Sequence, residues 1–231
     1  MLLFYVTAPY GRHLRGGWGP TLASRSGWFV VEAPAALIFA GGFAVGAHHE
    51  GVTAWVFLVM WEAHYVYRAF VYPFTLRDDD GRMPFSVMGM AVLFNIVNAS
   101  LNSLWLFDFS GGYPSSWLSD PRFLVGLALF LAGMIVNRRA DGALRRLRAA
   151  GEPGYRVPQG GLYRWVSSPN YLGEIVQWAG WALATWSLPG VAFAVWTAAN
   201  LVPRAQANQL WYRRRFPDYP PERKALIPGV W

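Results

Sequence analysis

The sequence predicts an all-α integral membrane protein, a bundle of six to seven transmembrane helices. Three observations lead there. Apolar residues make up 54% of the 231-residue chain and charged residues only 14%, against roughly 25% charged in soluble domains. Six apolar stretches meet or approach the ~20 residues that a bilayer crossing takes. The basic residues, finally, fall on one side of the layout that those stretches define.

The stretches are, in order, Trp28–Gly46, Thr53–Phe74, Pro84–Phe107, Phe123–Asn137, Asn170–Trp186 and Leu188–Arg204. The last two are separated only around Ser187-Leu188-Pro189, which reads as a tight helical hairpin. Met1–Ala8 is apolar but too short to span alone; it reads as a signal remnant, an interfacial anchor or the tail of a seventh span. Alternating faces through six spans puts 3, 2, 7 and 6 Lys/Arg in the segments Arg12–Arg25, Arg77–Arg82, 137–169 and the C-terminal tail, 18 of the chain's 20. The opposite loops, 47–52, 108–121 and the hairpin, hold none, and only Arg68 and Arg122 remain. Such asymmetry makes the basic face cytoplasmic. The chain is multi-pass, and its Arg-rich basic set points to a bacterial inner membrane rather than the endoplasmic reticulum. With no Cys, thiolate chemistry and disulfides are excluded.

Two basic segments, Asn137–Pro169 and Pro203–Trp231, exceed simple connectors. Their charge alone leaves open lipid-headgroup contact and a pocket for a polyanionic cofactor. Interleaved Asn137, Asp141, Asn170 and Glu174 favour the pocket, because ribose and amide groups need such partners and headgroups do not. Nucleic acid is not expected as a partner, since the charge lies at predicted span ends. No Gly-rich dinucleotide fingerprint, HExxH or other zinc spacing occurs, so no metal site is expected.

Ionisable groups in hydrocarbon are costly and mark functional sites by default. Glu32 lies about a turn into the first span, and the second carries Glu62, His64, Tyr65, Tyr67 and Arg68. In the third, Asn95, Asn98 and Asn102 form one polar stripe, which could equally be interhelical glue. Glu62 and Arg68 are six residues apart and are not helical neighbours. Trp28, Arg68 and Asn98 are expected to line a polar cavity opening toward the basic face.

More specific patterns occupy the C-terminal third. Tyr155-Arg156-Val157-Pro158-Gln159-Gly160-Gly161-Leu162-Tyr163, Ser167-Ser168-Pro169-Asn170-Tyr171-Leu172-Gly173-Glu174, Ala182–Pro189 and Asp218-Tyr219-Pro220 with Arg223–Pro228 resemble the steroid 5α-reductase family. Upstream, Trp28-Phe29 with Glu32 and Pro34, and His64-Tyr65 with Arg68–Tyr72, are similar to that family's elements. The resemblance implies one membrane-embedded reductase domain over 1–231, usually of seven helices. Its substrate cavity would lie mainly within 28–107 and its cofactor part mainly within 137–231, with cytoplasmic loops forming the nucleotide pocket.

It also implies NADPH as cofactor and a steroid or steroid-like lipid substrate entering from the bilayer, with no obligate protein partner. The catalytic pair falls on Glu32 and Tyr65; cofactor contacts fall on Asn137, Asp141, Arg148, Tyr155, Asn170, Glu174, Arg204 and Tyr212, to which Arg145 and Asn208 are added. One departure is the run Gln206-Ala207-Asn208-Gln209, where the family carries a His-rich stretch; an amide there hydrogen-bonds but does not titrate. The implied reaction reduces a 3-oxo-Δ4 enone by hydride addition at C5 and protonation at C4. Tyr65 would donate to the carbonyl oxygen, and Glu32, kept neutral by burial, would be a second donor. Other lipid enone or enoyl reductases and membrane S-adenosylmethionine-dependent methyltransferases share the Pro169-Asn170-Tyr171 stretch; a sterol-binding protein would lack the nucleotide-directed polar set.

Overall fold

The computed structural model describes residues 7–76, 81–149 and 155–231, side chains 148 and 149 excepted. Six helices follow the six apolar stretches: α1 Ser24–Val45, α2 Val52–Val66, α3 Phe85–Leu104, α4 Pro121–Ala149, α5 Pro169–Thr185 and α6 Leu188–Arg215. Three of them, Ser24–Val45, α3 with its continuation to Phe109, and Pro121–Leu147, are long and apolar enough to cross a membrane. Large apolar side chains such as Leu37, Val59, Leu93 and Val125 face outward, where only hydrocarbon would solvate them well. The chain is thus a largely helical membrane protein.

Boundaries follow local chemistry. Gly46 and Gly51, both extended, end α1 and start α2. Pro169 opens α5, at a position where the missing N–H is of no consequence. Trp186, with φ 45°, supplies the left-handed turn between α5 and α6, the hairpin read at 187–189. Both α2 and α3 end in a π-turn, Tyr67–Val71 and Trp105–Phe109.

Strands were not foreseen. Thr21–Ala23 (β1) and Arg82–Pro84 (β2) pair antiparallel, Leu22 opposite Met83. The Arg82 guanidinium reinforces the pairing by donating to Thr21 Oγ1 at 2.6 Å and to Thr21 O at 2.8 Å. This clasp joins the starts of α1 and α3, which then run side by side in the same direction. Asn95 Nδ2 donates to Val31 O (2.7 Å), and a Cβ on Gly42 would strike Ser103.

The chain forms two compact units, one of Ala8–Leu124 with Thr185–Gly190, the other chiefly of Val125–Ala184 and Val191–Trp231. In the first, α1, α2 and α3 enclose an aromatic stack: Phe39 lies parallel to Trp61 at 4.4 Å and meets Phe107 edge-on, all three fully buried. In the second, α4 and α5 approach backbone to backbone. Gly126 and Gly133 on α4 face Gly180 and Gly173 on α5, and a Cβ at any of the four would overlap the opposing main chain. Small residues at such a seam replace the hydrophobic drive that lipid cannot supply.

Candidate functional site

In the first unit, polar residues stack in layers along α1. Glu32 Oε1 accepts from Arg68 Nη2 at 3.1 Å and from Nε at 3.3 Å, and both side chains are about nine-tenths buried. The Arg68 guanidinium lies against Trp28 (4.6 Å) and Tyr72 (4.7 Å), so cation–π contacts shield the pair from lipid. Arg68 sits in the π-turn that closes α2, and Trp28 stands one turn before Glu32. Two hydrogen bonds from one guanidinium therefore fix the Glu32 carboxyl group on the α2 side of α1.

The next layer holds Tyr65 and Asn98. Trp61 Nε1 donates to Ala35 O (3.1 Å) while Arg68 meets Glu32, so Tyr65, between them on α2, belongs to the stretch that packs on Glu32–Ala35 of α1. Asn95 meets Val31 and Ser103 meets Gly42, which brings Asn98 to the same level. Both residues are buried, and Tyr65 packs against Trp61 and His64. Asn102 Nδ2 donates both to Asn98 O (3.0 Å) and to Asn98 Oδ1 (3.1 Å). Asn98 Nδ2 is buried without a hydrogen-bond partner among the described residues, as is Glu62 Oε1. Beyond this layer the Phe39–Trp61–Phe107 stack closes the three-helix contact.

The second unit gathers the predicted cofactor residues where α4 passes the start of α5. Asn137 Nδ2 donates to Asn170 O (3.0 Å) and to Glu174 Oε2 (3.4 Å); Asn170 Nδ2 donates to Asp141 Oδ1 (3.0 Å). Asn137 and Asp141 sit a turn apart on α4, and Gly173 lets Asn137 approach this closely. Arg204 Nε donates to Tyr171 Oη (3.0 Å), and Asn208 Nδ2 to Ser168 Oγ (3.2 Å), so α6 is tied to the same end of α5. Arg145 is half-buried, a turn beyond Asp141. Tyr155 is exposed and packs edge-on to Trp211; Tyr212 is buried and stacked on Tyr219. The Arg148 side chain lies outside the described residues.

A tail clasp supports these groups. Val166 pairs parallel with Lys224, and Ser167 N donates to Lys224 O at 2.8 Å. Buried Arg223 donates to Pro158 O (3.1 Å) and Gln159 Oε1 (3.3 Å), holding the turn before Gly160. Burial pushes the Tyr219 phenol above its usual range, partly opposed by its hydrogen bond with Ser167 and by Arg223. The Pro158-Gln159 turn was legible in the sequence, but Arg223 as its anchor was not.

As a donor set, interleaved amides and carboxylates beside guanidinium and hydroxyl groups suit the ribose, amide and phosphate groups of a nucleotide. Among the described residues no cluster of His, Asp and Glu could hold a metal.

Comparison with known proteins agrees on one family. The family described as 3-oxo-5-alpha-steroid 4-dehydrogenase matches residues 81–231. The chain is 43% identical to 3-oxo-5-alpha-steroid 4-dehydrogenase 1 of Bos taurus over 99% of its length and 90% of the relative's. It is 41% identical to Steroid 5-alpha-reductase DET2 of Gossypium hirsutum, again over 99% and 90%, and 38% identical to 3-oxo-5-alpha-steroid 4-dehydrogenase 1 of Homo sapiens over 96% and 86%. With that identity carried through both compact units, the chain belongs to the 3-oxo-5-alpha-steroid 4-dehydrogenase family.

Proposed function

We propose that this protein reduces the Δ4 double bond of a 3-oxo-Δ4 steroid, giving the 5α-reduced 3-oxo steroid, with NADPH as reductant. The observation that carries the reading is near-full-length identity of about two residues in five to steroid 5-alpha-reductases. Buried Tyr65 beside the Glu32–Arg68 pair supports it.

NADPH would supply the hydride. Asn137, Asp141, Asn170, Glu174, Arg204 and Asn208 would hold it, with Arg145, Arg148, Tyr155 and Tyr212 around them. As C5 becomes saturated, negative charge grows on the carbonyl oxygen, and donors fixed in a dry site stabilise that charge most effectively. Tyr65 is the direct donor. Glu32, paired with Arg68, keeps Arg68 and Trp28 in place beside it. The neighbouring rings of Trp61, Phe39 and Phe107 would limit the access of water to this layer. A proton then adds at C4.

In this reading all six helices span the bilayer. The basic segments face the cytoplasm, in a bacterial inner membrane, and the steroid enters from the lipid. Purified protein incubated with NADPH and a panel of 3-oxo-Δ4 steroids should give products two hydrogens heavier by mass spectrometry. Thermal stabilisation by S-adenosylmethionine but not by NADPH would overturn the reading.

A further inference from the structure

We infer that Asn98 is a substrate-binding donor, aimed by Asn102 at the carbonyl oxygen that Tyr65 also serves. The inference rests on the proposed reductase reading and adds a specific group to it.

The orientation of the Asn98 amide follows from a chain of necessities. Oxygen and nitrogen of an amide are told apart by their partners. The atom of Asn102 facing the main-chain oxygen of Asn98 must be a donor, so it is Nδ2. That same Nδ2 lies 3.1 Å from the Asn98 side chain, so the atom it meets must be an acceptor, Oδ1. Nδ2 of Asn98 is therefore turned away from its own helix ladder. It is buried, in a residue only 6% exposed, and no group among the described residues accepts from it.

A buried, unsatisfied donor is costly, roughly 1–3 kcal/mol, and needs an explanation. Its depth provides one. Asn98 is level with Tyr65, the stripe Asn95-Asn98-Asn102 faces α1 through Val31, and the stripe Trp61-Tyr65-Arg68 faces α1 through Ala35 and Glu32. The two stripes thus converge on one segment of α1. The aromatic stack bounds that layer on one side and the Glu32–Arg68 pair on the other. Both of those are satisfied within the chain, which leaves Asn98 as a donor awaiting an oxygen. A flat, apolar molecule with one conjugated carbonyl supplies that oxygen and little else to satisfy. Two donors on one developing oxyanion act as a preorganised pair. Asn102, which touches no substrate in this arrangement, is a positioning residue.

The test combines turnover with ligand-induced stabilisation in Asn98→Leu, Asn102→Leu and the double variant. Leucine removes the donor while keeping the γ-branched shape, so Asn98→Leu should melt at or above the wild-type temperature, whereas a purely structural Asn98 would be missed and the variant would melt lower. Its kcat/KM on a 3-oxo-Δ4 steroid should fall roughly ten- to hundredfold. The double variant should have a kcat/KM no lower than Asn98→Leu, because the part of Asn102 in substrate binding is to aim Asn98. Independently of turnover, the 3-oxo steroid should stabilise wild type more than its 3-deoxy analogue does, and Asn98→Leu should erase that difference. Wild type inactive with NADPH would overturn the reductase reading, while the stabilisation comparison would still decide on Asn98. Wild-type kcat/KM and an undiminished 3-oxo preference in Asn98→Leu would show that the amide serves only a buried water, and would overturn the inference.

Discussion

Replacing Gly173 with alanine puts the α4–α5 seam and the Asn137 network under one test. The new Cβ would lie 2.5 Å from Asn137 N and 2.6 Å from Gly133 O, where ordinary contacts begin at 3.4 Å. Neither partner is a flexible side-chain tip, so the helices must part by about 0.9 Å at this level. Overpacking of this kind costs about 1–3 kcal/mol. The same displacement pulls Asn137 away from Asn170 O and Glu174 Oε2, now at 3.0 and 3.4 Å. Two hydrogen bonds at about 1 kcal/mol net each correspond to roughly thirtyfold in affinity. Gly180→Ala is the control: it meets Gly126 O at 2.6 Å on the same seam, but ~10 Å farther along the helix. Both variants should lose thermal stability in detergent by a similar amount, while NADPH affinity, read by quenching of tryptophan fluorescence, should fall only in Gly173→Ala. Equal NADPH affinity in the two variants, or a Gly173→Ala protein as stable as wild type, would refute the reasoning.

Further outcomes follow from the other groups. Glu32→Gln should retain more activity than Glu32→Ala, since an amide oxygen still accepts from Arg68; Glu32→Ala leaves a buried guanidinium unpaired, at about 3–5 kcal/mol, and equal loss of activity and melting temperature in both would count against the pair. Tyr65→Phe should lower turnover by roughly a hundredfold or more with NADPH affinity unchanged; normal turnover would sink the donor role. For Tyr219, burial favours the neutral phenol, so its contribution to stability is full below the ordinary tyrosine range and is lost as pH rises through its raised pKa. Melting temperature should therefore drop between pH 9 and pH 11 (about a unit either side of the usual tyrosine value) more steeply in wild type than in Tyr219→Phe. The chain has no cysteine, so Glu50→Cys and Arg146→Cys can be labelled singly in sealed vesicles; a membrane-impermeant maleimide should reach them from opposite sides, and labelling from one side would refute the span count.

The helices were legible because lipid imposes a length and an apolar composition that a single sequence displays. So were the two groups of polar residues, since ionisable and amide side chains stand out against hydrocarbon. The pairing within them was not. Glu32 and Arg68 lie 36 positions apart, and nothing local links them; helical spacing set aside the nearer Glu62 but could not name the true partner. The β1–β2 clasp escaped because three-residue strands carry no period, and the tail's hold on Val166 escaped because a single bridge carries even less. One missed feature did have a signal. Gly126/Gly133 and Gly173/Gly180 repeat at seven residues on two consecutive helices, a spacing that returns each pair to one helix face.

The π-turn at Tyr67–Val71 has a consequence for how this chain can change. A π-turn holds one residue more than an α-turn, so the segment is, in effect, a tolerated single-residue insertion near the end of α2. Deleting one residue there would let the helix continue as α with little rotation of what lies beyond, but it would bring Tyr72 from the fourth to the third position after Arg68. Tyr72 would then no longer stand over Arg68. Members of the family that differ in length at this point should differ in what covers the buried arginine.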